Sequence, residues 1–288
     1  MSVENKKVGF IGGGNMAEAM IGGLLKSGTC NAKNLCASDV SRERRNHLET
    51  VFGIGTTEDN CSVFDSCDIV VLAVKPQVMD SVLNGIRSDC APEAKNGSGR
   101  LVISIAAGVT TAHIEKFLAP QVPLPVIRVM PNTPALVQCA MCGMFANRHA
   151  DESHRADARA ILASIGMVME FDDESFLDVV TALSGSGPAY IFYMAECMVK
   201  AGVSLGLSGQ DAFTLTLQTM KGAVKLMENS DDPPEELRRR VTSPGGTTEA
   251  ALGVMMKNRM KNRFEETITE AITAACKRST ELSGTNNV

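Results

Sequence analysis

A turn near residue 245 combines glycines and hydroxyl groups in an order suited to binding a small carboxylate. The segment reads Ser243-Pro244-Gly245-Gly246-Thr247-Thr248 and runs into a helical pattern that begins at Glu249. Adjacent glycines let the backbone approach a ligand closely, and the N–H groups at a helix N-terminus attract an anion. The two threonine hydroxyls would then donate a hydrogen bond or a proton beside the anion. A turn between helices with an ordinary N-cap explains the same residues.

A second glycine turn stands at the start of the chain. The apolar run 7–11 leads into Gly12-Gly13-Gly14-Asn15-Met16-Ala17, and a helical pattern follows. In dinucleotide-binding units of this kind, Gly12 would permit the tight turn and Gly14 would let a pyrophosphate lie against the backbone. Ala17 would let the helix pack closely on the strand. We expect a nicotinamide dinucleotide at this turn, although a glycine turn that binds no ligand would have the same residues.

Apolar runs of strand length alternate with helical patterns over residues 1–172, which predicts a doubly wound parallel sheet. The runs end in small, polar or cyclic residues at 75–76, 106–108 and 130–134. The carboxyl ends of parallel strands line the ligand crevice, so these residues are expected walls of the cofactor site. The predicted strands cover 7–11, 34–38, 68–74, 101–105 and 125–129, with weaker candidates at 142–146 and 166–171.

The pattern changes after residue 172 to helices without strand-like runs. Ile191, Met194, Ala195, Met198 and Val199 recur at helical spacing, which indicates an apolar face. So much apolar surface favours burial against another subunit. We therefore predict an α/β protein with a Rossmann-type dinucleotide-binding domain over residues 1–172 and an all-α substrate-binding and dimerisation domain over residues 173–288.

Composition narrows the function classes. The 288 residues carry a net charge of -5 without a dominant basic stripe, which argues against a nucleic-acid partner. The short run Arg238-Arg239-Arg240 follows several acidic residues and is interpreted as a solvated helix face. No apolar run approaches the roughly 20 residues that span a bilayer, and a strand near residue 7 leaves no room for a signal peptide. We expect a cytoplasmic protein without a membrane partner.

Cysteine and histidine usage gives no sign of a metal site. The nine cysteines are scattered, mostly in apolar patterns, and are expected to be reduced core thiols. Cys139 and Cys142 form a Cys-x-x-Cys pair, but no second pair accompanies them at metal-binding spacing. The four histidines stand away from the glycine motifs, so neither a metal site nor a nucleophile–histidine pair is predicted.

Several motifs in order resemble the pyrroline-5-carboxylate reductase family over essentially the whole chain. The segment 234–257, which contains the 243–248 turn, is similar to the family signature, as are residues 73–76, 128–134 and 184–190. The resemblance implies proline biosynthesis, in which NADPH or NADH delivers a hydride to the imine carbon of 1-pyrroline-5-carboxylate, the carbon that becomes C5 of proline. Such a reduction needs a positioned donor, a carboxylate anchor and a proton, but no metal.

The resemblance also assigns roles to individual residues. Thr248 is the hydrogen-bond donor to the ring nitrogen and the one catalytic candidate. The N–H groups of 245–248, with Ser243, would hold the substrate carboxylate, and residues 185–188 would shape a long helix near the substrate. The family's helical domains interlock as homodimers, commonly in a larger ring, with active sites built from both subunits. The implied cofactor-contacting residues are Gly12, Gly14, Asn15, Met16, Val74, Lys75, Pro76, Ala106, Ala107 and Asn132.

The choice between NADPH and NADH depends on the end of the second predicted strand, Ser38 and Asp39. Asp39 is placed to accept from a ribose 2'-hydroxyl, which favours NADH, but it would equally serve as a helix N-terminal residue. Basic residues follow it, and the family more often prefers NADPH, so we expect NADPH with NADH possible. The residues that would surround a 2'-phosphate are Ser41, Arg42, Arg44 and Arg45.

Two rival functions use the same glycine turn. A β-hydroxyacid dehydrogenase would need a helix-borne lysine base, and Lys200 and Lys221 lack a matching motif. A dinucleotide sensor would bind the cofactor without catalysis, but it has no need of a second site for a small carboxylate. Arg240 stands where some reductases have a smaller amide, and no catalytic role is assigned to it.

Overall fold

The computed structural model describes residues 3–89, 100–118, 123–256 and 264–285. Within these residues the chain forms one sheet of eight strands, in the order β3-β2-β1-β4-β5-β6-β7-β8. All the predicted strands are present, and β3 is an additional one. The strands are β1 Val8–Ile11, β2 Leu35–Ser38, β3 Gly55–Thr57, β4 Ile69–Leu72, β5 Leu101–Ser104, β6 Val126–Met130, β7 Ala140–Ala146 and β8 Gly166–Glu170.

The sheet is mostly parallel, which confirms the predicted fold class except at β7, which runs antiparallel to β6. Parallel neighbours need a crossover of about a dozen residues or more. The connection from β6 to β7 is shorter and contains only the 3₁₀ turn Thr133–Val137, so the chain reverses direction there. A helix between β7 and β8 then restores parallel pairing.

Within the described residues, seven helices pack against the sheet. Side chains alternate between the two faces of the sheet, so that Phe10 packs in one apolar core and Ile11 in the other. The central strands are buried on both faces, as the continuous apolar runs predict. The helices are α1 Asn15–Lys26, α2 Arg42–Phe52, α3 Asn60–Ser66, α4 Pro76–Asp89, α5 Thr111–Leu118, α6 Glu152–Ala163 and α7 Phe176–Val180, followed by the π-helical turn Thr181–Gly185.

The rest of the described chain is helical, as predicted. Pro233 precedes α10, and Gly246 precedes α11 as its N-cap. No described helix is long and apolar enough to cross a membrane. The helices are α8 Gly187–Ser204, α9 Gly209–Glu228, α10 Pro234–Arg240, α11 Thr247–Met255 and α12 Phe264–Thr285.

The chain divides into two compact units, which differ from the predicted division at residue 172. Met1–Ser186 and Ala275–Val288 form the sheet unit, and Gly187–Ala274 forms the helical unit. The first helical residues after β8 remain with the sheet because α7 packs on β6 and β7, and the end of α12 joins them through the bond of Ser279 to Asp178. The predicted division at residue 172 into a dinucleotide-binding domain and a substrate-binding and dimerisation domain stays a prediction.

Cysteine chemistry differs from the expectation at one position. Cys61 is disulfide-bonded, whereas the sequence predicts reduced thiols throughout. Scattered spacing along the chain does not reveal which thiols meet in space, so a disulfide at Cys61 could not be predicted from it. The described cysteines that are free are Cys30, Cys36, Cys67, Cys139, Cys142, Cys197 and Cys276.

Candidate active site

The glycine turn after β1 has the geometry that the sequence predicts. Gly12 lies at a φ of 97°, a region that favours glycine. A Cβ at Gly12 would lie 2.8 Å from the Ala73 carbonyl oxygen, because the turn packs directly on the end of β4. The Gly12 N–H also donates to the Ser38 carbonyl at 2.8 Å. Gly12 is therefore fixed by its backbone, by β4 and by β2 together.

Gly14 is open where Gly12 is crowded. It is the N-cap of α1 at a φ of -68°, and a Cβ there would meet no atom within 4 Å. Asn15 is exposed and Met16 half-buried, and in the described structure their N–H groups have no protein acceptor. Ala17 is fully buried, as close packing of helix on strand requires. The first turn of α1 thus presents unsatisfied donors and the positive end of a helix dipole to an open space.

Asp39 supports the glycine turn. Its Oδ2 accepts from the Gly13 N–H at 2.9 Å, and its Oδ1 accepts from the Ser41 N–H at 2.8 Å. The N-cap of α2 is Ser41, whose hydroxyl accepts from the Arg44 N–H, so Asp39 is not the capping residue. Each carboxylate oxygen of Asp39 already accepts one backbone hydrogen bond and keeps one further lone-pair direction for a ligand.

Two of the arginines expected at a 2'-phosphate instead donate to acceptors within the protein. Arg44 donates to the Gly13 carbonyl and pairs with Glu18, and Arg45 donates to the Asp39 carbonyl at 2.7 Å. Burial alone would raise the pKa of the Glu18 carboxyl, but hydrogen bonds from His47 and Arg44 outweigh it and lower that pKa. In the described structure no ion pair or hydrogen bond holds the guanidinium of Arg42, which is exposed.

Ser38 takes part in the site through the backbone and through Asn60. Its side chain is fully buried, and its hydroxyl donates to Asn60 Oδ1 at 2.7 Å. Asn60 is the first residue of α3, so this bond ties α3 to the end of β2. The hydroxyl of Ser38 has no exposed surface for a direct contact with a cofactor in this structure.

The predicted walls follow β4 and β5, two neighbouring strands. Val74 is half-buried against the core, Lys75 is exposed, and Pro76 is the first residue of α4. Ala106 is buried and Ala107 is half-buried. Because β4 and β5 are parallel neighbours, these residues emerge at the same edge of the sheet as the glycine turn.

Asn132 has its amide engaged within the protein. Its Nδ2 donates to the Ser184 carbonyl at 3.1 Å, and its Oδ1 accepts from the Met141 N–H at 3.0 Å. It therefore pins the 3₁₀ turn to β7 and to the π-helical turn. A Cβ at Gly185 would lie 2.6 Å from Met130 Cε, so the π-helical turn also packs tightly on the end of β6.

The turn 243–248, which the sequence predicts to bind a carboxylate, lies in the helical unit and runs into the N-terminus of α11. Gly245 has a φ of 74°, and Gly246 donates to the Ser243 carbonyl at 3.0 Å. A Cβ at Gly246 would lie 2.6 Å from Ser243 Oγ and 3.0 Å from the Ser243 carbonyl oxygen, so the turn is also crowded at its second glycine. Ser243 itself is exposed.

Two of the four N–H groups from 245 to 248 are bonded within the turn. The N–H of Gly245 donates to Glu249 Oε2 at 2.7 Å, and the N–H of Gly246 donates to the Ser243 carbonyl. The N–H groups of Thr247 and Thr248 keep no protein acceptor in the described chain. Binding of a carboxylate by this turn stays a prediction, and Thr247 and Thr248 supply the N–H groups that the turn does not use to hold its own shape.

Thr248 stands in the first turn of α11 and is half-buried, while Thr247 is exposed. Within the described residues neither hydroxyl has a hydrogen-bond partner, in contrast to Thr242, whose hydroxyl donates to the Arg238 carbonyl at 2.7 Å. The two hydroxyls are therefore available to a ligand. Arg240 pairs with Glu236 and Asp232 on the exposed face of α10, which agrees with the interpretation of a solvated face.

Sequence reasoning missed several polar residues that shape these turns, among them Glu249, Asn60 and Ser184. Glu249 follows its partner Gly245 by four residues, a spacing that signals a local bond at a helix start. Asn60 and Ser184 have partners 22 and 52 residues away, and nothing local in the sequence marks such pairs. Among the described residues, no three His, Cys, Asp or Glu side chains are grouped to hold a metal ion.

Comparison with known proteins identifies the family. Residues 174–282 match the model described as pyrroline-5-carboxylate reductase dimerisation. Residues 7–108 match the model described as NADP oxidoreductase coenzyme F420-dependent. The two matches correspond to the helical and dinucleotide-binding parts of the chain.

Relatives of known name match almost the whole length. The chain is 43% identical over 277 residues to the pyrroline-5-carboxylate reductase of Pseudomonas aeruginosa, covering 96% of this chain and 97% of that protein. It is 41% identical over 254 residues to the Haemophilus influenzae enzyme, covering 88% and 90%.

Solved structures agree. The Coxiella burnetii pyrroline-5-carboxylate reductase is 36% identical with a TM-score of 0.86, over 97% of this chain and 99% of that one. The Plasmodium falciparum pyrroline carboxylate reductase, solved with NADP bound, is 32% identical with a TM-score of 0.83 over the same shares. The chain is an NAD(P)H-dependent oxidoreductase and belongs to the pyrroline-5-carboxylate reductase family.

Proposed function

We propose that the protein reduces 1-pyrroline-5-carboxylate to L-proline, the final step of proline biosynthesis, with NADPH as its main reductant. One observation carries the proposal. In the described chain, the first turn of α1 and the Thr247–Thr248 turn of α11 each keep backbone N–H donors without protein acceptors, and each would bind an anion. A dinucleotide pyrophosphate and a small substrate carboxylate are the two anions that the reaction requires.

The dinucleotide half fits the residues that are present. The open space at Gly14 and the donors of Asn15 and Met16 suit a pyrophosphate, while Val74 to Pro76 and Ala106–Ala107 suit the nicotinamide end. The bound cofactor supplies the hydride. Asn132 and Ser38 contribute by fixing neighbouring backbone, since their own polar atoms are bonded within the protein.

The substrate half is the turn before α11. The N–H groups of Thr247 and Thr248 would bind the carboxylate at the positive end of the helix. Glu249 and Ser243 would hold the turn in shape through Gly245 and Gly246. The Glu249 carboxylate is close to this site, and its bond to Gly245 keeps it directed at the turn instead of at the incoming anion.

The Thr248 hydroxyl would donate to the imine nitrogen and fix the ring for attack at the imine carbon, the carbon that becomes C5 of proline. As the hydride adds to this carbon, the C=N π electrons move to nitrogen, which then takes a proton. A threonine hydroxyl is a poor acid at neutral pH, so we assign it the orienting hydrogen bond or the end of a water relay.

We expect NADPH preference to depend on Arg42. Arg44 and Arg45 are held by protein acceptors, whereas Arg42 is exposed at the first position of α2 and able to approach a 2'-phosphate. Arg42→Ala should reduce the ratio of kcat/KM for NADPH to that for NADH by about tenfold. Parallel kinetics with the two cofactors measure this ratio.

The control for that measurement is Glu43→Ala, a change at the neighbouring exposed position of α2. An unchanged ratio in Arg42→Ala would contradict the assignment. If Asp39→Asn alone shifts the ratio, the carboxylate is the discriminating group instead.

The helical unit is matched by a dimerisation model, which supports a homo-oligomer. We propose the finer arrangement that the resemblance implies: interlocked helical domains, a larger ring and active sites built from both subunits. The apolar helix α8 supports it, because none of its 18 residues is buried in the single chain and Phe192 is 68% exposed. A cytoplasmic location also stays a proposal, to be tested by fractionation.

Shared active sites predict complementation between two inactive variants, Gly14→Val in the cofactor half and Thr248→Val in the substrate half. Co-expressed with different tags, they should regain about half of the wild-type activity in the doubly tagged dimer, because one of its two sites is intact. Activity of the doubly tagged fraction is the measurement. Each variant expressed with itself is the control, and a mixed fraction without activity would contradict the sharing of sites.

A further inference from the structure

A buried group of charged residues lies beside β6 in the sheet unit. Arg128, on β6, is only 3% exposed, and it faces two carboxylates. Its guanidinium lies 3.2 Å from Glu174 Oε1 and 3.5 Å from Asp178 Oδ1. Buried charges are costly unless they are paired and hydrogen-bonded, so the partners of these carboxylates define what the group holds. We name Arg128, Glu174 and Asp178 the tail clamp.

Asp178 fastens the end of the last helix. Its Oδ1 accepts from Ser279 Oγ at 2.7 Å and from Ser283 Oγ at 3.2 Å, and its Oδ2 accepts from Thr280 Oγ1 at 3.3 Å. Ser279 and Ser283 are both buried and lie one turn apart on the same face of α12. The bonds join positions about 100 residues apart, so they are tertiary contacts that fix the end of α12 against α7.

Glu174 fastens the start of α5. Its Oε1 accepts from the Thr111 N–H at 2.9 Å, and its Oε2 accepts from the Thr111 hydroxyl at 2.9 Å. Residues 105–110 connect β5 to α5 and contain Ala106 and Ala107, the proposed nicotinamide wall. The clamp therefore holds the far end of the loop that carries this wall.

The end of α12, residues 279–283, which we call the tail, also touches that loop directly at Gly108. Gly108 lies at a φ of 73°, and a Cβ there would stand 3.1 Å from Leu282 Cβ and 3.2 Å from the Leu282 carbonyl carbon. Leu282 directly precedes Ser283, one of the residues that Asp178 holds. The backbone of the tail thus lies against the loop one residue beyond Ala107.

We propose that the last turns of α12 are a positioning element for the nicotinamide, acting through the tail clamp and Gly108 on the Ala106–Ala107 wall. This inference rests on the proposed function of that wall. The tail does not touch the reacting atoms. Its effect is to fix the distance and angle at which the nicotinamide meets the imine, and misplacement of about 1 Å costs up to about a hundredfold in rate.

The test removes two of the three hydrogen bonds from α12 to Asp178 without removing charge, in the double variant Ser279→Ala/Ser283→Ala. We expect kcat with NADPH and 1-pyrroline-5-carboxylate to fall by about tenfold. Binding of 2',5'-ADP, which reproduces the adenosine half of NADPH and lacks the nicotinamide, should stay within about twofold, as only the nicotinamide wall is disturbed. Binding of NADPH itself should weaken, measured by fluorescence titration.

The matched control is Thr269→Ala, which removes an exposed hydroxyl of α12 that bonds only to the backbone of its own helix. The conservative pair Ser279→Thr/Ser283→Thr should restore kcat, since the hydroxyls return. If the double variant unfolds, Ser283→Ala alone supplies the same comparison.

Two results would overturn the inference. One is a lower melting temperature with kcat and NADPH binding unchanged, which is a purely structural role. The other is an equal loss of NADPH and 2',5'-ADP binding, which is general damage to the sheet unit. The wild-type assay separates this inference from the proposed function: without turnover in the wild type the function fails, while the two binding titrations still decide whether the tail positions the nicotinamide end.

Discussion

Replacing Thr248 by valine should lower kcat for 1-pyrroline-5-carboxylate reduction by about a hundredfold while the Kd for NADPH stays within twofold. Valine has nearly the same shape as threonine, and the half-buried position in the first turn of α11 tolerates it. The hydroxyl that would orient the imine nitrogen is absent in the variant. The backbone N–H groups that would bind the carboxylate remain. Steady-state kinetics and a separate NADPH titration measure the two effects.

Thr248→Ser is the matched control, because it keeps the hydroxyl and should retain kcat within a few-fold. A substrate analogue without the ring nitrogen gives a second check, since it should bind Thr248→Val and Thr248→Ser equally well. Unchanged turnover in Thr248→Val would remove the hydroxyl from the mechanism. Loss of NADPH binding in the same variant would show that the change disturbs more than the substrate turn.

The second large effect is expected at the glycine turn, where Gly14→Ala should weaken NADPH binding at least about tenfold without a loss of stability. Gly14 has a φ that alanine adopts readily, and the added Cβ would meet no protein atom. The same methyl group would project from the backbone against which the pyrophosphate is proposed to lie. Affinity and the thermal midpoint of unfolding are measured on the same preparation.

Gly12→Ala is the contrasting variant. Its φ of 97° and the 2.8 Å approach to the Ala73 carbonyl oxygen mean that alanine there strains the turn itself. We expect it to lose both stability and affinity. Unchanged NADPH affinity in Gly14→Ala would place the pyrophosphate elsewhere.

The fold was predictable because its signals are local. Buried parallel strands appear as continuous apolar runs, and the glycine spacing at 12–17 marks the turn between strand and helix. The direction of β7 was missed because orientation depends on the length of a connection and not on strand composition. The short β3, Gly55–Thr57, lacks an apolar run and has no local signal.

The sequence indicates which residues lie near the glycine turn but not how they are hydrogen-bonded. Sequence position indicates that Asp39 lies near the cofactor turn, but not that Gly13 and Ser41 already donate to its carboxylate. Arg44 is similarly occupied by Gly13 and Glu18. The tail clamp is further from prediction, since Arg128 and its partners are separated by 46 residues or more.

The decisive measurement is the rate of NADPH oxidation by the purified protein on addition of 1-pyrroline-5-carboxylate, with L-proline measured in the same reaction. We expect rapid turnover, one proline formed per NADPH consumed, and a slower rate with NADH. Binding of NADPH without oxidation would contradict the proposed reduction, because the two proposed anion sites would then serve a dinucleotide sensor or a different carbonyl or imine substrate.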